Sequence, residues 1–196
     1  MPEMTHKTVN NIADHYKVLL NHALNSEAMN QVSTLADALL DGWLGRNTIY
    51  LCGNGGSAGN AIHLANDLLH GAGVSNGCGL RVEAISANPA VLTCLANDLG
   101  YENIYSEQLR VKANQGDILI ALSGSGNSPN IVKAIETANK IGMKTFAILG
   151  FDGGLCKSTA HFPIHFDVDD MQIAEDLQLV VGHICMKFLS QHNVKG

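Results

Sequence analysis

Two turns and two helical segments hold the residues with chemistry to offer. Gly53-Asn54-Gly55-Gly56-Ser57 follows the apolar run Ile49–Cys52 and precedes a helical pattern. Its glycines let backbone approach a ligand closely, and Ser57 is placed to cap the helix and donate to an anion. The turn is neither GxGxxG nor a Walker loop, since the P-loop lysine is missing. A tight structural connection between strand and helix explains it equally well. The second turn is Ser123-Gly124-Ser125-Gly126-Asn127-Ser128-Pro129. Ser128 stands at a natural N-cap, with Pro129 at the first helical position. Serine hydroxyls and a fan of backbone N–H groups then meet at the positive end of a helix, forming a cup for an anion such as a phosphate monoester. A loop that merely happens to be serine-rich has no need of that capping arrangement.

The helical segments carry titratable groups. His63 and Asp67 stand four apart on the helix after the glycine turn, so they project from one face. Glu175 and His183, eight apart on the final helix, share a face as well. Two histidines and two carboxylates suit a divalent ion such as zinc. The same groups are competent general acids and bases. Histidine–carboxylate pairs on helices are also ordinary hydrogen-bonded neighbours, and spacing does not separate these readings.

The elements that must position these groups follow from hydrophobic period. Val9, Ile12, Ala13, Tyr16, Leu19 and Leu20 repeat at three- and four-residue spacing, as do Val32, Leu35, Leu39, Leu40 and Trp43. Residues 1–44 therefore read as two amphipathic helices, the second capped by Ser26 or Asn25. Beyond Gly45, short apolar runs at Thr48–Cys52, Leu80–Ile85, Asp117–Leu122, Thr145–Leu149 and Phe162–Phe166 alternate with helical patterns. Those patterns cover Ser57–Leu69, Ala90–Leu99 with Ile104–Ala113, Pro129–Ile141, a short turn near Leu155, and about Met171–Gln191. This alternation predicts right-handed βαβ units and a doubly wound α/β sheet, mostly parallel and covered on both faces. With 196 residues and no visible linker, the chain is expected to form one domain with an N-terminal helical extension.

Composition narrows the class. Hydrophobic residues make up 46% and charged residues 15%, the balance of a buried core and not of a disordered chain. A formal net charge of −6 and scattered lysines and arginines argue against a broad nucleic-acid surface. No stretch approaches the roughly 18 apolar residues of a membrane span. The polar start, Met1–Asn11, lacks the apolar segment of a signal peptide. Five cysteines without a CxxC pair, Cys52 and Cys185 within apolar runs, point to a reduced, cytoplasmic setting.

The segments CGNGGSAGNAIHLANDL (52–68), LTCLANDLG (92–100), GDILIALSGSGNSPNIVKAI (116–135) and ILGFDGG (148–154) together resemble the SIS (sugar isomerase) domain of the phosphoheptose isomerases. The resemblance covers essentially the whole chain. It implies a five-stranded parallel sheet in a flavodoxin-like three-layer sandwich, and a homotetramer assembled through the N-terminal helices. It also implies aldose–ketose isomerisation of a phosphorylated sugar, sedoheptulose 7-phosphate to D-glycero-D-manno-heptose 7-phosphate, feeding nucleotide-heptose and surface-polysaccharide synthesis. By position, Ser123, Gly124, Ser125, Asn127 and Ser128 match the phosphate holders, while Asn54, Gly55, Ser57, Asn88 and Glu175 match the rest of the substrate pocket. His63, Asp67, Glu175 and His183 match the family's metal ligands, with Asp67 as base and His183 as partner acid. Three positions depart from the family pattern: Asp67 replaces a glutamate, Glu175 a glutamine and Asn88 an aspartate. Alternative readings are a non-catalytic SIS protein that binds a replication initiator, and an isomerase of another phosphosugar.

Overall fold

The computed structural model describes residues 8–73, 78–192 and 194; the first seven residues of the polar start lie outside them. Five short strands, β1 (Thr48–Gly53), β2 (Arg81–Ala84), β3 (Ile118–Ser123), β4 (Lys144–Leu149) and β5 (Phe162–His165), form one parallel sheet in the order β2-β1-β3-β4-β5. The central strands are apolar along most of their length because both faces are covered. In β3, Ile118, Ile120 and Leu122 enter one core layer, while Leu119 and Ala121 enter the other. The doubly wound five-stranded sheet is the architecture expected from the sequence.

Among the described residues eight α-helices flank the sheet: α1 (Val9–Leu24), α2 (Asn30–Leu44), α3 (Gly56–Leu69), α4 (Pro89–Leu99), α5 (Ser106–Lys112), α6 (Pro129–Ile141), α7 (Gly154–Thr159) and α8 (Met171–Leu189). One layer joins Leu35 and Leu39 of α2, Leu64 and Leu68 of α3, and Leu177 and Val181 of α8. The opposite layer holds Leu109 of α5, Ile131 and Ile135 of α6, and Cys156 of α7. Truncating a fully buried leucine such as Leu39 to alanine in a layer of this kind costs about 2–5 kcal/mol.

The two N-terminal helices behave differently. α2 spends its apolar stripe on its own sheet, burying Val32, Leu35, Leu39 and Trp43. On α1 only Ala23 is buried, and Val9, Ile12 and Val18 stand exposed. Ser26 does not cap α2: its hydroxyl donates back to the Ala23 carbonyl at 2.7 Å, and a 3-10 turn, Glu27–Met29, leads into the helix without a side-chain cap. Asn25 closes α1 instead. No helix among the described residues is long and apolar enough to cross a membrane.

This strand order places the site. From β1 the chain crosses through α3 to β2 on one side, while β3 pairs with β1 on the other. Ligands in open α/β sheets bind beyond the carboxyl ends of strands at such a reversal, here between β1 and β3. The glycine turn leaves the end of β1 and the serine turn leaves the end of β3.

Candidate active site

The two turns enclose a cleft of about 290 Å³ lined by Asn54, Gly55, Gly56, Ser57, Leu122, Ser123, Gly124, Ser125 and Ser128, with Met171 and Glu175 from the start of α8. Gly55 precedes α3 at φ +54°, a left-handed conformation that turns the chain sharply from strand to helix. Ser128 is the N-cap residue of α6 and Pro129 opens the helix, yet the Ser128 side chain makes no capping bond. Its hydroxyl is not spent on the helix. Ser123 Oγ accepts from Gly126 N at 3.1 Å, and Ser125 Oγ accepts from Asn127 N at 3.3 Å. With oxygens so engaged, the hydroxyl hydrogens remain for an anion. Among the described residues no lysine or arginine lines this cleft, so hydroxyls, backbone N–H groups and the α6 N-terminus supply its attraction for negative charge.

Asn54 is braced from behind. Its amide pairs reciprocally with that of Asn130, each Nδ2 donating to the other's Oδ1 at 2.8 Å. Asn130 is buried in the first turn of α6, so the pair ties the glycine turn to the serine turn. Tyr101 donates to Asn54 Oδ1 at 3.2 Å. The buried Tyr105 hydroxyl donates to the Gly53 carbonyl, and burial pushes its ionisation well above the usual tyrosine range. Sequence reasoning missed Asn130, Tyr101 and Tyr105 as supports of the site.

Three expected positions have other places. Ser57 is not the cap of α3; it lies inside the first turn, and its Oγ accepts from Gln178 Nε2 at 3.0 Å. Asn88 caps α4, its Oδ1 accepting from Ala90 N and Val91 N, and it borders a separate groove with Ile62 and Glu83 instead of the serine cleft. Asn127 lies behind the cup, where its Oδ1 accepts from Leu155 N at 3.0 Å and fastens the turn to α7.

The titratable groups gather farther along α3. His63 Nε2 and His183 Nε2 face each other at 3.0 Å, and Asp67 Oδ2 lies 3.4 Å from each. Parallel packing of α3 and α8 brings them together. It depends on Gly182, where a Cβ would collide with the Leu64 side chain. Two facing Nε2 atoms share a single proton, one ring donating and the other accepting, or both turn lone pairs to a cation. Ligand atoms around a tetrahedral zinc with bonds of about 2.0–2.1 Å stand about 3.3–3.4 Å apart. The His63–Asp67–His183 triangle fits that spacing. The imidazoles are 50% and 43% exposed, leaving one side of the triangle open to an incoming ligand.

Glu175, expected as a fourth ligand, is not in this group. Eight helical residues span about 12 Å. The Glu175 carboxylate lies against Gly56, at the start of α3 and inside the serine cleft. The positive N-terminal end of α3 favours a carboxylate there.

Residues 13–150 match the SIS domain model. The chain is 36% identical to a phosphoheptose isomerase of Akkermansia muciniphila over 196 residues, covering 100% of both proteins. The chain belongs to the SIS-domain phosphoheptose isomerase family. Solved structures carry the same fold: a phosphoheptose isomerase of Francisella tularensis superposes with a TM-score of 0.88 at 22% identity, covering 94% of this chain and 97% of that one. The Neisseria gonorrhoeae phosphoheptose isomerase gives 0.83 at 24% identity, covering 93% and 98%. The residues matched to the SIS domain include the cup, His63 and Asp67 but end before α8, which brings Glu175, Gln178 and His183.

Proposed function

We propose that the protein interconverts the ketose and aldose forms of a phosphorylated sugar, with sedoheptulose 7-phosphate as the ketose. The observation that carries this reading is the placement of an anion cleft and a proton-transfer cluster along one helix pair. Gly56 at the cleft and His63 at the cluster are seven residues apart on α3, about 10 Å. That is close to the reach of an extended six- or seven-carbon chain and its phosphate. Membership of the phosphoheptose isomerase family supports the same assignment.

Isomerisation moves a proton between adjacent carbons through a cis-enediol. With the phosphate fixed by Ser123, Ser125 and Ser128, the far end of the sugar reaches Asp67 and His183. Asp67 takes the proton from C1, and His183 protonates the O2 oxygen as the enediol forms. Loss of the O1 proton and return of a proton to C2 complete the aldose, with no net gain or loss. The phosphate's binding energy is spent on holding the reactive carbons in place. His63, Asp67 and His183 are the residues that would hold a divalent cation such as zinc; with the Nε2 lone pairs so used, its positive charge would polarise the sugar carbonyl in place of the His183 proton.

The exposed apolar residues of α1 support assembly into a homotetramer. The five free cysteines support a reducing cytoplasm. Sedoheptulose 7-phosphate incubated with the pure protein in deuterated water, with and without chelator, is expected to yield the aldose with deuterium at C2. Turnover lost on chelation and restored by zinc supports the cation site. Phosphosugar binding with neither aldose product nor isotope exchange would overturn the enzyme reading in favour of a binding protein. Light scattering at micromolar concentration is expected to give four times 20.8 kDa, and a monomer would refute the tetramer.

A further inference from the structure

Behind the cleft, three polar side chains form a chain of hydrogen bonds with a fixed direction. It starts at the backbone carbonyl of Glu175, which can only accept. Asn60 Nδ2 lies 3.0 Å from that oxygen, so this end of the Asn60 amide is its NH2 group. The same nitrogen donates its other hydrogen to Gln178 Oε1 at 3.0 Å. The Gln178 amide is thereby oriented with its own NH2 toward Ser57, and Nε2 donates to Ser57 Oγ at 3.0 Å. Gln178 is 1% exposed and Ser57 4%, so water does not readily substitute for either partner.

The Ser57 hydrogen then has few places to go. A serine inside a helix commonly donates to the carbonyl one turn earlier. For Ser57 that is Gly53, whose oxygen has one lone pair taken by the Tyr105 hydroxyl, and among the described residues Ser57 Oγ only accepts, from Gln178, and donates to no protein group. The remaining direction is the cleft that Ser57 lines. Ser123 and Ser125 have their oxygens engaged by backbone N–H groups in the same way.

We propose that Asn60 and Gln178 are positioning residues that hold the Ser57 hydroxyl as a donor into the cleft, tuning it for a fully ionised phosphate. Neither residue touches the ligand. A hydroxyl fixed as donor strengthens binding of an oxyanion, whereas one free to turn presents its lone pairs and repels it. The inference rests on the phosphosugar reading of the cleft.

The test is a set of double-mutant cycles on Ser57. Gln178→Leu removes the donor to Ser57. Asn60→Asp reverses the chain: a carboxylate cannot donate, so the Gln178 amide turns its NH2 to residue 60 and its oxygen to Ser57, which then donates backward. Each substitution, like Ser57→Ala, is expected to raise KM for sedoheptulose 7-phosphate about tenfold, the effect of one charge-assisted hydrogen bond, with kcat within about twofold. In the Ser57→Ala background, neither Gln178→Leu nor Asn60→Asp should change KM more than about twofold further. An effect arising only from the negative charge that Asn60→Asp introduces would persist in that background. KM effects that simply multiply, or a fall in kcat with unchanged KM, would overturn the proposal. Asn60 is only partly buried and its replacement keeps its shape, so Asn60→Asp carries the test should Gln178→Leu fail to fold. Wild type that binds neither sedoheptulose 7-phosphate nor inorganic phosphate by calorimetry brings down the cleft reading and this inference together. Wild type that binds both while the cycles show no coupling overturns the inference alone.

Discussion

In the serine cleft, Asn54, Ser57, Ser123 and Ser125 are each held from behind by an amide or backbone N–H, whereas His63, Asp67 and His183 have chiefly one another and the solvent. The difference follows from what each end must do. An anion cup works by presenting hydrogens whose directions are settled before the ligand arrives, so its acceptors are filled in advance. A proton-transfer centre needs groups whose protons can move, and full hydrogen bonding would hold them still. The cleft is therefore built largely from turns and helix termini, while the proposed reactive cluster is three side chains on two packed helices.

Kinetics can break this division of labour. The largest effects should come from the cluster: His183→Ala and Asp67→Ala are each expected to lower kcat by about 10²–10⁴-fold with KM nearly unchanged. A loss below tenfold would remove that residue from proton transfer. The double replacement Ser123→Ala with Ser125→Ala should act on the other parameter, raising KM by tenfold or more while kcat stays near wild type. A fall in kcat instead would show that the cup takes part in the chemical step. The smallest effect is expected from Glu175→Gln, which removes a carboxylate from the phosphate end. KM should fall a few-fold and zinc affinity, measured by competition with a chelating dye, should not change. A weakened zinc affinity would return Glu175 to the ligand set.

Most of the architecture was legible because local signals agreed with the fold. The helix expected over Pro129–Ile141 has those bounds, since Ser128-Pro129 starts it and Gly142, at φ +90°, stops it. The strands were found to within a residue or two because each is an apolar run bounded by polar or glycine positions. Of the site, the closely spaced serines Ser123, Ser125 and Ser128 and the i, i+4 pair His63–Asp67 could be read directly, because neighbours in sequence are neighbours in space. The supports could not. Asn54 and Asn130 are 76 residues apart and Ser57 and Gln178 are 121, and nothing in a single sequence joins a buried amide to a partner at that distance. Asn88 is the instructive miss. Asn88-Pro89 is a strong local cap signal, and the family pattern outweighed it.

Of the described elements α8 is made last, and that sets an order on the molecule's coming of age. A ribosome that has released residues up to Asp170 has delivered all five described strands and both turns, but not His183, Gln178 or Glu175. Until α8 docks, Leu35 and Leu39 of α2 and Leu64 and Leu68 of α3 lack the cover of Leu177, Val181 and Cys185. A chain without α8 is thus sticky and, under the proposed mechanism, chemically inert at once, an apolar groove for a chaperone to hold and no reaction centre to misuse a sugar. The step that closes the groove also delivers His183, so by the proposed mechanism the molecule sheds its stickiness and gains its chemistry in the same event.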